Sequence, residues 1–156
     1  MRAPATQQRG IALLELALSL SLLVTIVFGI TEFGRAIFQY NTLAKAARDA
    51  ARYLSVRDPS AAGAADAAKC MVVYGNPTCA GNALVSGLTT AMVTVCYAAD
   101  PACAGTNQSQ GASPVINLIT VTIGGANNPY TFASAMSFIV PSFDFGAISV
   151  TMRQVL

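Results

Sequence analysis

The sequence predicts an α+β chain: one long N-terminal helix bearing a small head, built from a second helix and an antiparallel sheet of about three strands. Three observations point there. Residues 11–30 form an apolar run whose only ionised side chain is Glu15. No proline interrupts residues 11–58, and apolar or small residues recur there at helical spacing. The second half then changes character, with β-branched segments set between clusters of Gly, Pro and Asn, and with four cysteines.

Composition narrows the function classes. The chain has 156 residues, room for one domain, and only 10% are charged against a usual value of about 25%. Mean hydropathy is +0.54, and residues 11–30 carry most of the excess. The net charge of +2 is too small for a nucleic-acid partner, because Arg35, Lys45, Arg48, Arg52 and Arg57 are interleaved with Glu32, Asp49 and Asp58. Histidine is absent, which removes the commonest general base and metal ligand. Beyond Lys69 the ionised side chains are Asp100, Asp144 and Arg153, from which no nucleophile–base pair or carboxylate dyad can be assembled. Gly124 and Gly125 lead into Ala-Asn-Asn-Pro, a turn rather than a phosphate loop. No catalytic residue, metal or cofactor is expected.

The elements follow in order. Residues 1–10 are polar and carry Arg2 and Arg9 without an acid. A helix over residues 11–30 would rise about 30 Å, the thickness of a bilayer's hydrocarbon core. The short basic flank favours a cytoplasmic N-terminus, with everything after residue 30 on the far side of the membrane. The apolar run exceeds that of a secretory signal, about 7 to 15 residues, and no small-x-small site precedes Phe33, so a retained anchor is expected. Glu15 is the anomaly within it. A carboxylate there either leans back to the headgroups or needs a cationic partner. Ala17, Ser21, Thr25 and Gly29 recur every four residues, a row of small side chains that lets another helix approach, although a chain so rich in small residues also yields such rows by chance.

Past the membrane, residues 31–56 continue the helix. Phe33, Ile37, Tyr40, Ala44, Ala47, Ala51 and Leu54 alternate in steps of four and three, and this stripe is expected to hold the head or a partner helix. The head occupies residues 57–156. Asp58 suits an N-cap and Pro59 the first position of a second helix ending at Tyr74, with Gly75 as its left-handed stop. Strands are expected over 90–97, 115–123 and 143–152, with a polar loop over 98–114 and a turn over 124–129. Residues 130–140 are apolar and compatible with strand or helix. Cys70, Cys79, Cys96 and Cys103 allow three disulfide connectivities, and spacing favours the short loops Cys70–Cys79 and Cys96–Cys103. Zinc is the rival occupant, but neither pair has CxxC spacing and no histidine can complete the shell. An oxidising compartment beyond the membrane agrees with disulfides.

Gly10, Ile11 and Glu15, behind a basic leader and ahead of an uncharged run, resemble the prepilin processing site of type IV pilin-like proteins. That resemblance implies cleavage by a prepilin peptidase between Gly10 and Ile11 on the cytoplasmic face. The new α-amino group on Ile11 would then pair with Glu15 of an adjacent subunit, setting the axial register of neighbouring helices. Residues 28–36 (Phe-Gly-Ile-Thr-Glu-Phe-Gly-Arg-Ala) and 41–53 (NTLAKAARDAARY) resemble the TadE-like family, with a fainter likeness over residues 87–93. Members are pseudopilins or minor pilins of the Tad (tight adherence, Flp) type IV pilus system. Leu16 stands where members often carry an aromatic residue, and Ser21 where a proline is common. The resemblance implies a pilin-like fold and a role in pilus assembly, and through it in adhesion, biofilm formation and surface colonisation. It places the chain in the bacterial inner membrane with a periplasmic head, or outside the cell in the fibre. The implied partners are the prepilin peptidase, companion pseudopilins, the major Flp pilin, the inner-membrane assembly platform and the lipid bilayer. The alternative is a membrane-anchored periplasmic binding module or adhesin head that never enters a pilus. The mature N-terminus separates the two.

Overall fold

The computed structural model describes residues 6–103, 107–109 and 116–155. The first five residues of the basic leader, parts of the expected polar loop (104–106 and 110–114), Val115 at the start of an expected strand, and Leu156 lie outside the described residues.

Helix α1 runs unbroken over Thr6–Ser55, 50 residues or about 75 Å. It already includes Gly10, so the backbone shows no break at the junction of leader and apolar run. Its length follows from the sequence: no proline stands between Pro4 and Pro59, and alanine and leucine, the strongest helix formers, dominate. Side chains from Ile11 to Phe28 are exposed, whereas from Glu32 onward one face is buried by the head.

That buried face differs in part from the expected stripe. Ala47, Ala51 and Leu54 are buried and Ala44 partly so, but Phe33 is 67% exposed, Tyr40 48% and Ile37 45%. The line that enters the head there is Glu32, Ala36 and Leu43, one residue earlier and so about 100° round the helix. Alanines at 44, 46, 47, 50 and 51 suit either line. The head decides between them, because it offers hydrogen-bond partners to Glu32.

Helix α2 spans Ala64–Tyr74, five residues shorter at its start than expected. Asp58 caps a separate turn instead, its Oδ1 accepting from the Ser60 backbone N–H at 2.9 Å, while the Ala61 N–H bonds the Asp58 carbonyl. Gly63 then adopts φ 80°, a left-handed step that ends the turn and restarts the chain as α2. Gly75 closes α2 at φ 75°, its N–H on the Met71 carbonyl, as its position predicts.

Six strands follow: β1 (Val93–Tyr97), β2 (Gln108–Ser109), β3 (Ile116–Ile123), β4 (Thr131–Phe132), β5 (Phe143–Asp144) and β6 (Ile148–Arg153). β3 is central and antiparallel to both β1 and β6, with Val93 opposite Ile123 and Ile123 opposite Ile148, while β2 pairs with its first two residues. Residues 90–92, expected as strand, form a single 3-10 turn that leads into β1. The strand expected over 143–152 divides into β5 and β6, because β5 leaves the main sheet to pair with β4. Alternation is strict across the main sheet. Val93, Val95, Ile119, Val121, Ile123 and Ile148 face the helices and are buried. The other face carries hydroxyls that bond in pairs across the strands, Thr120 to Thr151 at 2.9 Å and Thr122 to Ser149 at 3.1 Å.

The core is therefore one layer of sheet against α1 and α2, with Leu43, Leu54, Val72, Val73, Ile119 and Val121 wholly enclosed. Two disulfides, Cys70–Cys79 and Cys96–Cys103, close short loops at its margin. Cys79 sits at φ 55°, the one non-glycine residue with positive φ among those described. Asn76 holds that loop: its Oδ1 accepts from the N–H groups of Thr78 and Ala80, and its Nδ2 donates to the carbonyls of Tyr74 and Ala80.

Candidate functional site

The region of interest is α1, in three stretches. In the first, Gly10 and Ile11 lie on an exposed helical backbone. A Cβ built at Gly10 would meet nothing within 4 Å, and its φ is not left-handed. Glycine in a helix interior is worth about 1 kcal/mol less than alanine, so the fold of the single chain gives no reason for it. Glu15 is exposed one turn beyond Ile11, and among the described residues no side chain pairs with it.

The second stretch is the apolar run. The helix Gly10–Ser55 contains a window long and apolar enough to cross a membrane, and none of that window is buried by the rest of the chain. Within it the small-residue row is real in composition but winds, since each step of four advances about 40° round the axis. The Ser21 hydroxyl returns to the Leu18 carbonyl and that of Thr25 to the Ser21 carbonyl, both at 2.9 Å. Both polar groups are thereby satisfied by their own helix, as an apolar surrounding requires. Ala17, Ser21 and Thr25 are open, whereas Gly29 is half-buried beneath Ile139 of the head.

The third stretch forms a collar where the apolar run ends. Glu32 is buried to 4% exposure. Nη1 of Arg35, one turn on, donates to Oε1 at 2.7 Å and Oε2 at 2.9 Å. Ser134 Oγ and the Ala135 N–H donate to Oε2, each at 3.3 Å, while Arg35 Nη2 reaches the Ala133 carbonyl at 3.1 Å. The guanidinium also lies 5.3 Å from the centroid of Phe132. Above the collar an aromatic cluster supports the head, with Tyr130 and Phe145 centroids 5.6 Å apart and Phe132 and Phe143 5.3 Å apart. The Tyr130 hydroxyl lies within hydrogen-bond distance of Gln39 and of the Ser86 carbonyl. Burial pushes its pKa above the usual phenol value, and the nearby Arg35 charge only partly opposes this. At the far end of the head the Ser60 hydroxyl, and then its backbone N–H, hold Asp58 below the usual carboxylate value.

Beside the collar, Phe33, Ala36, Ile37, Tyr40, Phe143 and Phe145 line an open apolar groove of about 200 Å³. Phe33, Ile37 and Tyr40 in it are residues expected to face the head, while Ala36 forms its floor on the buried line. The geometry thus separates two helix faces, one satisfied by the head and one left apolar and uncovered.

A family model described as TadE-like protein matches residues 10–52. The chain carries a TadE-like helix. The match begins on Gly10 and ends three residues short of the last residue of α1, so it covers the bare apolar stretch, the collar's Glu32 and Arg35, and the outer helix. Neither a curated protein nor a solved structure matches the chain. The head that the TadE-like helix carries is therefore read from its own geometry. The collar escaped the sequence reading, although Glu32 and Arg35 at an i, i+3 spacing were a signal that could have been used. No local signal marked residues 133–135 as their partners.

Proposed function

We propose that this chain is a minor pilin or pseudopilin that acts in assembly of a Tad/Flp-type pilus and does no catalysis. A prepilin peptidase cuts it after Gly10 on the cytoplasmic face of the inner membrane, and the head stands in the periplasm. The observation that carries the reading is the TadE-like match opening on Gly10, a glycine for which the fold itself has no use. Two further features support it. Among the described residues Glu15 is a carboxylate without an ion-pair partner, on a stretch of helix that the head does not cover. A buried carboxylate in an apolar bundle needs a cation, and the amino group freed on Ile11 of a neighbouring subunit supplies one. The open groove along Phe33, Ile37 and Tyr40 offers companion pilin helices an apolar face just above the membrane.

The test is the mature N-terminus. Protein recovered from its host should begin at Ile11, and in cells lacking the peptidase it should begin at Met1. A Met1 start in cells possessing the enzyme would favour the membrane-anchored binding module instead. Glu15→Ala should insert and be processed normally yet lower pilus yield at least about tenfold, as loss of a desolvated ion pair predicts. Normal pili with that variant would exclude the pairing role.

A further inference from the structure

We propose that residues 133–142 form a second membrane contact, lying in the headgroup region of the bilayer with Phe138 in lipid. The proposal rests on the reading of residues 11–30 as a membrane span. The segment reads Ala-Ser-Ala-Met-Ser-Phe-Ile-Val-Pro-Ser and carries no ionisable side chain. It belongs to the long connection between β4 and β5, which descends along α1 rather than turning tightly.

Position is the first argument. Ile139 Cγ2 lies 4.0 Å from where a Cβ of Gly29 would stand, and Gly29 is one residue inside the end of the apolar run. Glu32 and Arg35 grip the same segment at residues 133–135, about one helical turn above. The segment therefore runs from the charged collar down to the level of the span's last residues.

Chemistry is the second. Phe138 is 84% exposed, more than any other large apolar residue described. The two N–H groups that follow it, of Ile139 and Val140, both bond the Met136 carbonyl at 2.9 and 3.0 Å and close a turn. A compact turn with an aromatic tip and no charge can enter the headgroup–acyl boundary, where headgroups and water remain to bond its other polar groups. The collar's acid is matched by Arg35, so the step above the turn carries no net charge into the interface. Lipid is the occupant because the helix surface at that depth is itself bare and apolar on every side but this one.

The chain contains no tryptophan, so a single introduced one reports its own surroundings. Full-length Phe138→Trp, Leu23→Trp and Val155→Trp would each be placed in vesicles of phosphatidylcholine and phosphatidylglycerol, the phosphatidylcholine brominated near its headgroup or near its chain end. Val155, 70% exposed and bonded through its N–H to the Ser55 carbonyl, marks the end of the head remote from the span. Phe138→Trp should emit to the blue of Val155→Trp and lose most intensity to the headgroup-proximal bromine, while Leu23→Trp loses most to the chain-end bromine. If Leu23→Trp is quenched but Phe138→Trp matches Val155→Trp, the loop contact is wrong and the span stands. If neither is quenched, the span is wrong and the loop contact falls with it.

Discussion

Glu15 and Glu32, the chain's two glutamates, meet the same difficulty in different ways. Glu32 is removed from water within its own chain and is matched there by Arg35 and by donors from residues 134 and 135. Arg35→Ala should therefore leave a buried carboxylate poorly matched. Arg35 is partly exposed, so the loss is expected at about 1–2 kcal/mol, below the 3–5 of a fully buried pair, and is measurable by urea unfolding in micelles. Tyr130 gives a pH signature. Its neutral phenol is favoured by the fold, so the folded state holds its proton longer than the unfolded one. Stability should then be complete below about pH 10 and fall as pH rises through the folded pKa, a slope that Tyr130→Phe should lack. Asn76→Ala removes the hydrogen bonds that shape the loop around Cys79, and a loss of about 1–2 kcal/mol should appear in the same unfolding assay.

At the scale of elements, the phase of α1 is directly testable. Leu43→Ala should destabilise the head by about 2–5 kcal/mol, whereas Ile37→Ala should change its stability by less than about 1 kcal/mol and act, if at all, on assembly. Reducing both disulfides, whose partners are 9 and 7 residues apart, should remove about 2–3 kcal/mol each on loop-entropy grounds. The helix itself was legible because apolar content, length and lack of proline all agree. Its phase was not, since a periodicity argument shuns a charged residue, and the buried line runs through Glu32. The same cause misplaced the start of α2. Asp58 and Pro59 do make a capped turn, and whether it continues depends on the left-handed backbone of Gly63, which no side chain announces.

Over the whole molecule, the order of parts was readable from composition: a bare apolar rod, its outer continuation, and a head with a second helix and a sheet. The strands of the main sheet were readable because valine, isoleucine and threonine alternate there with a period of two. Residues 130–140 were not, because the one strand there is two residues long and the conformation is set by contact with α1 at Gln39 and at the collar. Those contacts join residues about 100 positions apart, beyond the reach of local pattern. The candidate site divides likewise. Gly10, Ile11 and Glu15 are a linear motif, but the collar exists only in three dimensions.

The head grips its rod at both ends, through Ile139 at Gly29 and through the Val155 N–H at Ser55. Those anchor points are 26 residues, or about 39 Å, apart along the axis. A pull along the rod therefore loads the sheet–helix seam in shear, many contacts resisting together, and does not unzip it from one end. A thread made of such units would share tension across each subunit's full seam.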